Sequence, residues 1–289
     1  MILVIILALI AHLGYALNDF TGALGARKFD SKLMSLLSWL TGTAIYLLIM
    51  PFFWQNSLSF WPVVVAVLSG MLAAVSYPLF LYALKYGNAA LVGVVAGTFP
   101  LWIVIISLII FKETLTATQV LVIGVIIIGI ILSSLHLTRR TKFHNLLNKY
   151  TALAFLVSIM WGIAFSVLKY PVEEIGWFNV SFITSLAGSI TSFIWLFPKL
   201  KTQVVPVFKK YYKFPLLNAI TGVGSTMAYN YAISRANSSI VAPIAGSYGG
   251  LFALLSYFVF REKLTRVQVL GICVIVAGVA SLSITLARS

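Results

Sequence analysis

The chain has 289 residues, 61% of them hydrophobic and 9% charged, and its 20 Lys and Arg against 6 Asp and Glu leave a net charge of +14. A soluble domain carries about 25% charged residues because water must meet a polar surface. So few charges cannot cover a chain of this length, which excludes a soluble enzyme, a secreted scaffold and a disordered chain. One cysteine, Cys273, excludes an intramolecular disulfide framework and a cysteine metal cluster.

A spanning helix needs about 20 mainly apolar residues, and ten such runs are predicted: 2–24, 33–54, 62–84, 88–111, 117–137, 151–170, 177–197, 214–234, 238–260 and 267–287. The longest gaps, 138–150 and 198–213, are short and basic. The first run is not expected to be a signal peptide, since no Lys or Arg precedes it and apolar sequence continues past any cleavage point. It holds Asp19, the one acid inside an apolar run, with His12 seven residues earlier and Tyr15 between. Seven residues are nearly two helical turns, about 10 Å, so the three share a face. Burial disfavours the charged form of either group, and an ionisable residue in a membrane is a functional candidate. His12, Asp19 and, from the second half, Lys169 are the coupling candidates. The competing readings are that the first helix ends early and Asp19 caps it, and that His12 only bonds a neighbouring carbonyl.

Later runs add aromatic residues and backbone breaks. Tyr15, Tyr77, Trp161, Tyr229 and Tyr248 fall within spans, as does Asn230, and are the candidate cavity residues. An aromatic lining suits an apolar, aromatic or quaternary-ammonium solute, the last through cation–π contact; the alternative for each is plain helix packing. Trp39, Trp54, Trp61 and Trp177 are read as an interfacial belt. Gly97 and Pro100 interrupt the fourth run, and Gly246 and Gly249 the ninth. Pro removes a helical hydrogen bond, and paired breaks in two halves point to a binding region or hinge. Close packing through small residues is the competing reading. Lys85 and Arg235 are read as snorkelling.

Sixteen of the twenty Lys and Arg lie in the odd-numbered gaps. They sit between apolar runs and not on a soluble basic face, so they indicate membrane orientation and not nucleic acid. The positive-inside rule puts the odd gaps in the cytoplasm and both termini outside.

The chain also repeats itself. Residues 82–129 align without gaps on 231–278, an offset of 149, with 18 identities in 48 pairs. FKETLTATQVLVI (111–123) matches FREKLTRVQVLGI (260–272), and LGYAL (13–17) weakly matches WGIAF (161–165). The expected fold is all-α and integral to the membrane, with ten helices as two inverted five-helix repeats, 1–142 and 143–289. An odd number of spans per half inverts the second against the first, the architecture of many secondary transporters.

The two five-helix repeats, WGIAF followed by Lys169, and the Glu-x-Leu-Thr-type motif after the fourth and ninth helices resemble the EamA family of the drug/metabolite transporter superfamily. Leu13 stands where the second repeat has Trp161, and Thr21 where it has Lys169. The resemblance implies a carrier with a central cavity lined by the first, third and fourth helices of each half, and with peripheral fifth and tenth helices. Members are described with cytoplasmic termini; the charge count here places them outside. The expected function is a secondary transporter, an exporter of an amino-acid-like or other small organic solute working by alternating access. The alternatives are a proton-coupled importer of a small organic cation such as choline, and a membrane scaffold. Neither metal nor cofactor is expected. The expected partners are a small-molecule substrate and the lipid of a prokaryotic inner membrane, with no nucleic acid, the carrier being a monomer or homodimer.

Overall fold

The computed structural model describes residues 1–134, 148–261 and 264–288. Among them every regular element is helical: α1 (Ile2–Lys28), α2 (Ser31–Phe53), α3 (Phe60–Tyr86), α4 (Ala89–Ala96), α5 (Phe99–Ile109), α6 (Ala117–Ser134), α7 (Lys149–Ser166), α8 (Lys169–Ile175), α9 (Trp177–Tyr211), α10 (Lys213–Ile233), α11 (Ser238–Gly246), α12 (Gly249–Phe260) and α13 (Arg266–Arg288). All ten predicted runs are helical over their described residues, the fifth as far as Ser134. With α4–α5, α7–α8 and α11–α12 each taken as one span, eight helices are long and apolar enough to cross a membrane. The other two are α6, a shorter apolar helix, and α10. The latter is long enough but carries Asn218, Thr221, Ser225, Thr226 and Asn230.

Helix starts follow local chemistry. Asp30 caps α2, its Oδ1 accepting from Lys32 N at 2.8 Å and Leu33 N at 3.1 Å. Asn88 caps α4 and Asn148 caps α7 in the same way, a side-chain oxygen satisfying amides that have no partner in the first turn.

Two boundaries differ from the sequence reading. The helix does not end before Asp19: α1 continues to Lys28, so Asp19 lies mid-helix and is no cap. The basic stretch 198–213 is largely helix. The 35 residues of α9 reach about 52 Å, against a hydrocarbon core of about 30 Å. Its far end is held by Leu200, Val204 and Val207 packing on Leu33, Leu36 and Leu37 of α2, which is why a polar, Pro-containing stretch stays helical.

The predicted breaks in the fourth and ninth runs are real. They fall at Gly97–Thr98 and at Ser247–Tyr248, and the broken helices cross there. A Cβ on Gly97 would lie 3.4 Å from Gly249 Cα, and a Cβ on Gly246 would run into the ring of Pro100. At offset 149 Gly97 is the mate of Gly246, and Pro100 of Gly249. The contact is therefore made twice with roles exchanged, the signature of a two-fold relation. The same exchange joins α6 to α13: Gly129 meets Ile275, and Gly278 meets Ile126, again mates at offset 149.

Contacts between the connections sort into two sets. Phe29 stacks on Tyr211, Lys85 Nζ donates to Phe29 O, and Arg27 lies over the Phe260 ring; these join odd gaps with each other. Gln55 bonds Asn179, and Glu113 and Thr114 bond the 237–239 turn; these join even gaps with each other. The odd set is the basic face, and the even set is the opposite face.

Close approach explains several glycines. A Cβ on Gly70 of α3 would collide with the Thr184 carbonyl of α9, whereas one on Gly224 of α10 meets nothing within 4 Å. Gly70→Ala is expected to cost about 1–3 kcal/mol through overpacking. Gly224→Ala is expected to be neutral or stabilising by up to about 1 kcal/mol through helix propensity. Thermal unfolding in detergent separates the two, and equal midpoints would contradict the packing.

Candidate functional site

A cavity of about 160 Å³ lies where the two halves meet. Tyr15, Asn18 and Asp19 of α1, Tyr77 of α3 and Phe99 of α5 reach it from the first half; Trp161 and Phe165 of α7, Asn218, Gly222 and Thr226 of α10 and Tyr248 reach it from the second. The repeat runs through its wall: Ser69 and Asn218, Ala73 and Gly222, Tyr77 and Thr226, and Phe99 and Tyr248 are mates at offset 149, and all eight line it. Two of the polar residues that lower the hydropathy of α10, Asn218 and Thr226, face the cavity. The resemblance implied a lining from the first, third and fourth helices of each half. The second helix of each half also contributes, through Trp39 and Tyr46 of α2 and Ser181, Thr184 and Ser185 of α9. Trp39 is thus a cavity residue and not part of an interfacial belt. The peripheral pair α6 and α13 contributes nothing to the lining.

Among the described residues Asp19 is the only carboxylate on the wall. It is 4% exposed, and the Tyr248 hydroxyl donates to its Oδ2 at 2.6 Å. Its repeat mate is Val167, so the charge breaks the two-fold relation. A polar cluster lies beside it. Asn218 Nδ2 donates to Tyr77 Oη at 2.8 Å and to Asn18 O, while Asn18 Nδ2 donates to Asn218 O at 2.7 Å. Aromatic rings form the rest: Tyr15 lies 5.8 Å from Tyr248 and 5.9 Å from Phe165, and Phe99 lies 6.0 Å from Trp161.

The sequence candidates divide. Tyr15, Tyr77, Trp161, Tyr248 and Asp19 meet at the cavity. Tyr229 and Asn230 do not line it; they stand one layer behind. The Tyr229 ring packs on Phe165 at 5.3 Å, and Asn230 Nδ2 donates to Ser181 Oγ at 2.8 Å. The reason is helical phase: Thr226 and Val223 face inward, and residues 229 and 230 turn toward α7 and α9. His12 is also off the cavity. Its Nδ1 lies 3.1 Å from Ile244 O and 3.2 Å from Ser247 Oγ, at the carbonyl that the α11 break leaves without a helical partner. Lys169 is not brought to Asp19. Its ammonium donates to Ile233 O and Ala236 O, each at 2.8 Å, and pairs with Glu173 at 3.0 Å. Lys169 and Asp19, both coupling candidates, are thus held by different partners in this structure. Gly97, Pro100, Gly246 and Gly249 sit at the helix crossing described above.

Asn18, Trp39, Tyr46, Phe99, Phe165 and Asn218 were not among the cavity residues expected from sequence. Phe99 was findable as the mate of Tyr248, and Asn218 as an amide in an apolar run. Trp39 and Tyr46 carried no such signal, because nothing local says that α2 turns one face to the centre.

A solved crystal structure is similar over 99% of this chain and 98% of its own, with a TM-score of 0.68 and 15% identity. At that identity the likeness concerns the fold alone. The uncharacterized protein MJ1333.1 of Methanocaldococcus jannaschii is 29% identical over 133 residues, 46% of this chain and 95% of that protein. That relative has the length of one repeat. The family model described as the EamA-like transporter family matches residues 2–135 and 148–284, once for each repeat. With both halves matched and many apolar helices in between, the protein is a multi-pass integral membrane protein and belongs to the EamA-like transporter family of the drug/metabolite transporter superfamily.

Proposed function

We propose that this transporter is a secondary carrier with ten spans in two inverted five-helix repeats, moving a small organic solute through the central cavity by alternating access, in the export direction. The observation that carries the reading is a cavity built from mated residues of both halves at the crossing of two broken helices, the arrangement in which inverted repeats exchange access. The sorting of connections into two sets supports ten alternating spans, including α6 and α10. The membrane is proposed to be a prokaryotic plasma membrane, and the carrier a monomer or homodimer. Purified protein in sealed vesicles, screened with amino acids, amines and sugar derivatives with and without a pH gradient, tests it. Movement of none of them would favour a scaffold.

One observation favours a second reading, import of a small organic cation coupled to protons. Asp19 presents a carboxylate among aromatic rings, with no cationic side chain among the described residues of the cavity wall. Tyrosine and tryptophan faces attract a desolvated cation. Competition between transported solutes and an aliphatic ammonium ion distinguishes the two readings.

Orientation has its own test. The basic face is expected in the cytoplasm and both termini outside. In a Cys273→Ser background, Lys201→Cys is expected to stay unlabelled by an impermeant thiol reagent added to intact cells, whereas a cysteine appended after residue 289 is labelled. Labelling of position 201 from outside would reverse the orientation and leave the repeats untouched.

A further inference from the structure

We propose that Glu113 is a positioning residue of the transport cycle: it latches the outer end of α11, and its release opens the opposite face to the cavity. The proposal rests on the carrier reading above. It starts from a helix start that lacks its own cap. Asn237 is the N-cap of α11 but makes no side-chain cap bond; its Nδ2 donates instead to Thr114 O at 3.3 Å. Its repeat mate Asn88 does cap α4. At α11 the first amides are taken from across the half boundary. Glu113 Oε1 accepts from Ser238 N at 2.9 Å, and Oε2 accepts from Ser239 N at 2.9 Å and from Ser239 Oγ. A carboxylate at a helix N-terminus also meets the positive end of the helix dipole.

The backbone is bent to deliver this carboxylate. Lys112 holds φ at 51°, and among the described residues the other non-glycine with positive φ is Arg261 at 58°. The two are repeat mates, and each precedes a glutamate in the sequence; Glu262 lies outside the described residues. A left-handed lysine is unfavourable, and such conformations persist where the surroundings impose them.

The other end of α11 is held from the same half. His12 lies against Ile244 O, and Asp19 holds Tyr248, two residues beyond the last residue of α11. All nine residues of α11 are buried. It is a short rod, about 14 Å long, pinned at both ends by the first half and resting on Pro100 through Gly246. Packed elements of this kind shift as rigid bodies. A solute or proton at Asp19 acts on one end of the rod, and Glu113 holds the other, so the cavity and the opposite face are joined through α11.

The test is accessibility, which needs no known substrate. Ala73→Cys puts a thiol on the cavity wall in a Cys273→Ser background. Sealed vesicles of each orientation are treated with an impermeant thiol reagent. With Glu113→Ala, labelling from the opposite face is expected to rise at least about tenfold, the population shift that loss of even one of its three charge-assisted bonds would give, while labelling from the basic face does not rise. Glu113→Gln, which keeps an acceptor, is expected to give a smaller rise. A rise that is equal from both faces, or no rise, overturns the latch. Should Glu113→Ala fail to fold, Ser239→Ala removes one of the three bonds and is expected to move labelling in the same direction; no one-sided rise there overturns the proposal equally. Failure to find any transported solute would count against the carrier reading and leave the one-sided labelling intact.

Discussion

Asp19→Asn is expected to keep the fold and to reduce pH-gradient-driven transport to background. The substitution changes shape very little, and the amide oxygen can still accept from Tyr248. What it removes is the group proposed to exchange a proton. Holding an ionised aspartate at a membrane centre costs about 2.5–3.5 kcal/mol on insertion scales, so its loss is expected to leave thermal stability unchanged or raised. A fall in transport with no fall in stability separates coupling from folding. The charge can matter to the proposed cycle only if the two access states bind it differently; the Tyr248 hydroxyl that it accepts from sits beside the helix break, the element proposed to change between them. His12→Ala is expected to shift the pH dependence of transport without abolishing it, because Ser247 Oγ still donates to Ile244 O at 2.9 Å when the imidazole is gone. Undiminished pH-driven transport in Asp19→Asn, measured in vesicles with an imposed gradient, would remove this residue from the mechanism and leave a passive carrier.

The second large effect is expected at the helix crossing. Gly246→Ala is expected to cost about 1–3 kcal/mol of stability, the usual range for forcing atoms into a filled core, and Gly246→Leu to yield no folded protein. The added Cβ meets the Pro100 ring, which has no rotamer to yield, and the Phe99 ring stands 3.0 Å away on the same side. Sequence alone makes these glycines a candidate hinge, which Leu would test if it slowed transport more than it harmed folding. The packing changes that expectation at Gly246, where a Leu test cannot separate gating from folding. A double-mutant cycle can. Pro100→Ala removes the ring atoms that Gly246→Ala strikes, so the double variant is expected to recover at least about 0.5 kcal/mol relative to additivity, as contacting residues do. Thermal midpoints of the four proteins in one detergent measure it; strict additivity would mean that the two breaks do not rest on one another.

Several features were legible because they are properties of one segment. Ten apolar runs, the alternation of basic gaps and the offset of 149 come from composition, charge order and self-similarity, and each run became helix because in lipid a segment must satisfy its own backbone. Asp19 stood out for the same reason: a carboxylate in an apolar run is rare enough to notice without neighbours. The Gly97–Pro100 and Gly246–Gly249 breaks were visible too, since both residue types disrupt a helix wherever it packs.

What one segment cannot say is what it faces. Whether Tyr229 or Thr226 turns to the cavity depends on the phase at which α10 meets α1, and that phase is set by contacts with residues some two hundred positions away, such as Asn18 with Asn218. Trp39 read as interfacial because depth follows from sequence position, whereas its place on the cavity wall follows from α9 packing behind it. Lys169 looked available to Asp19 until the carbonyl ends of α10 and Glu173 were seen to hold its ammonium. In the sequence Glu113 is only part of the repeated FKETLT segment; the folding of the two halves through one another puts the uncapped start of α11 within its reach. Local hydropathy dictated the helices and marked Asp19, and self-similarity along the chain revealed the repeat. The tertiary structure alone decided the cavity wall and the pins on α11, because these depend on interhalf packing, which no local periodicity encodes.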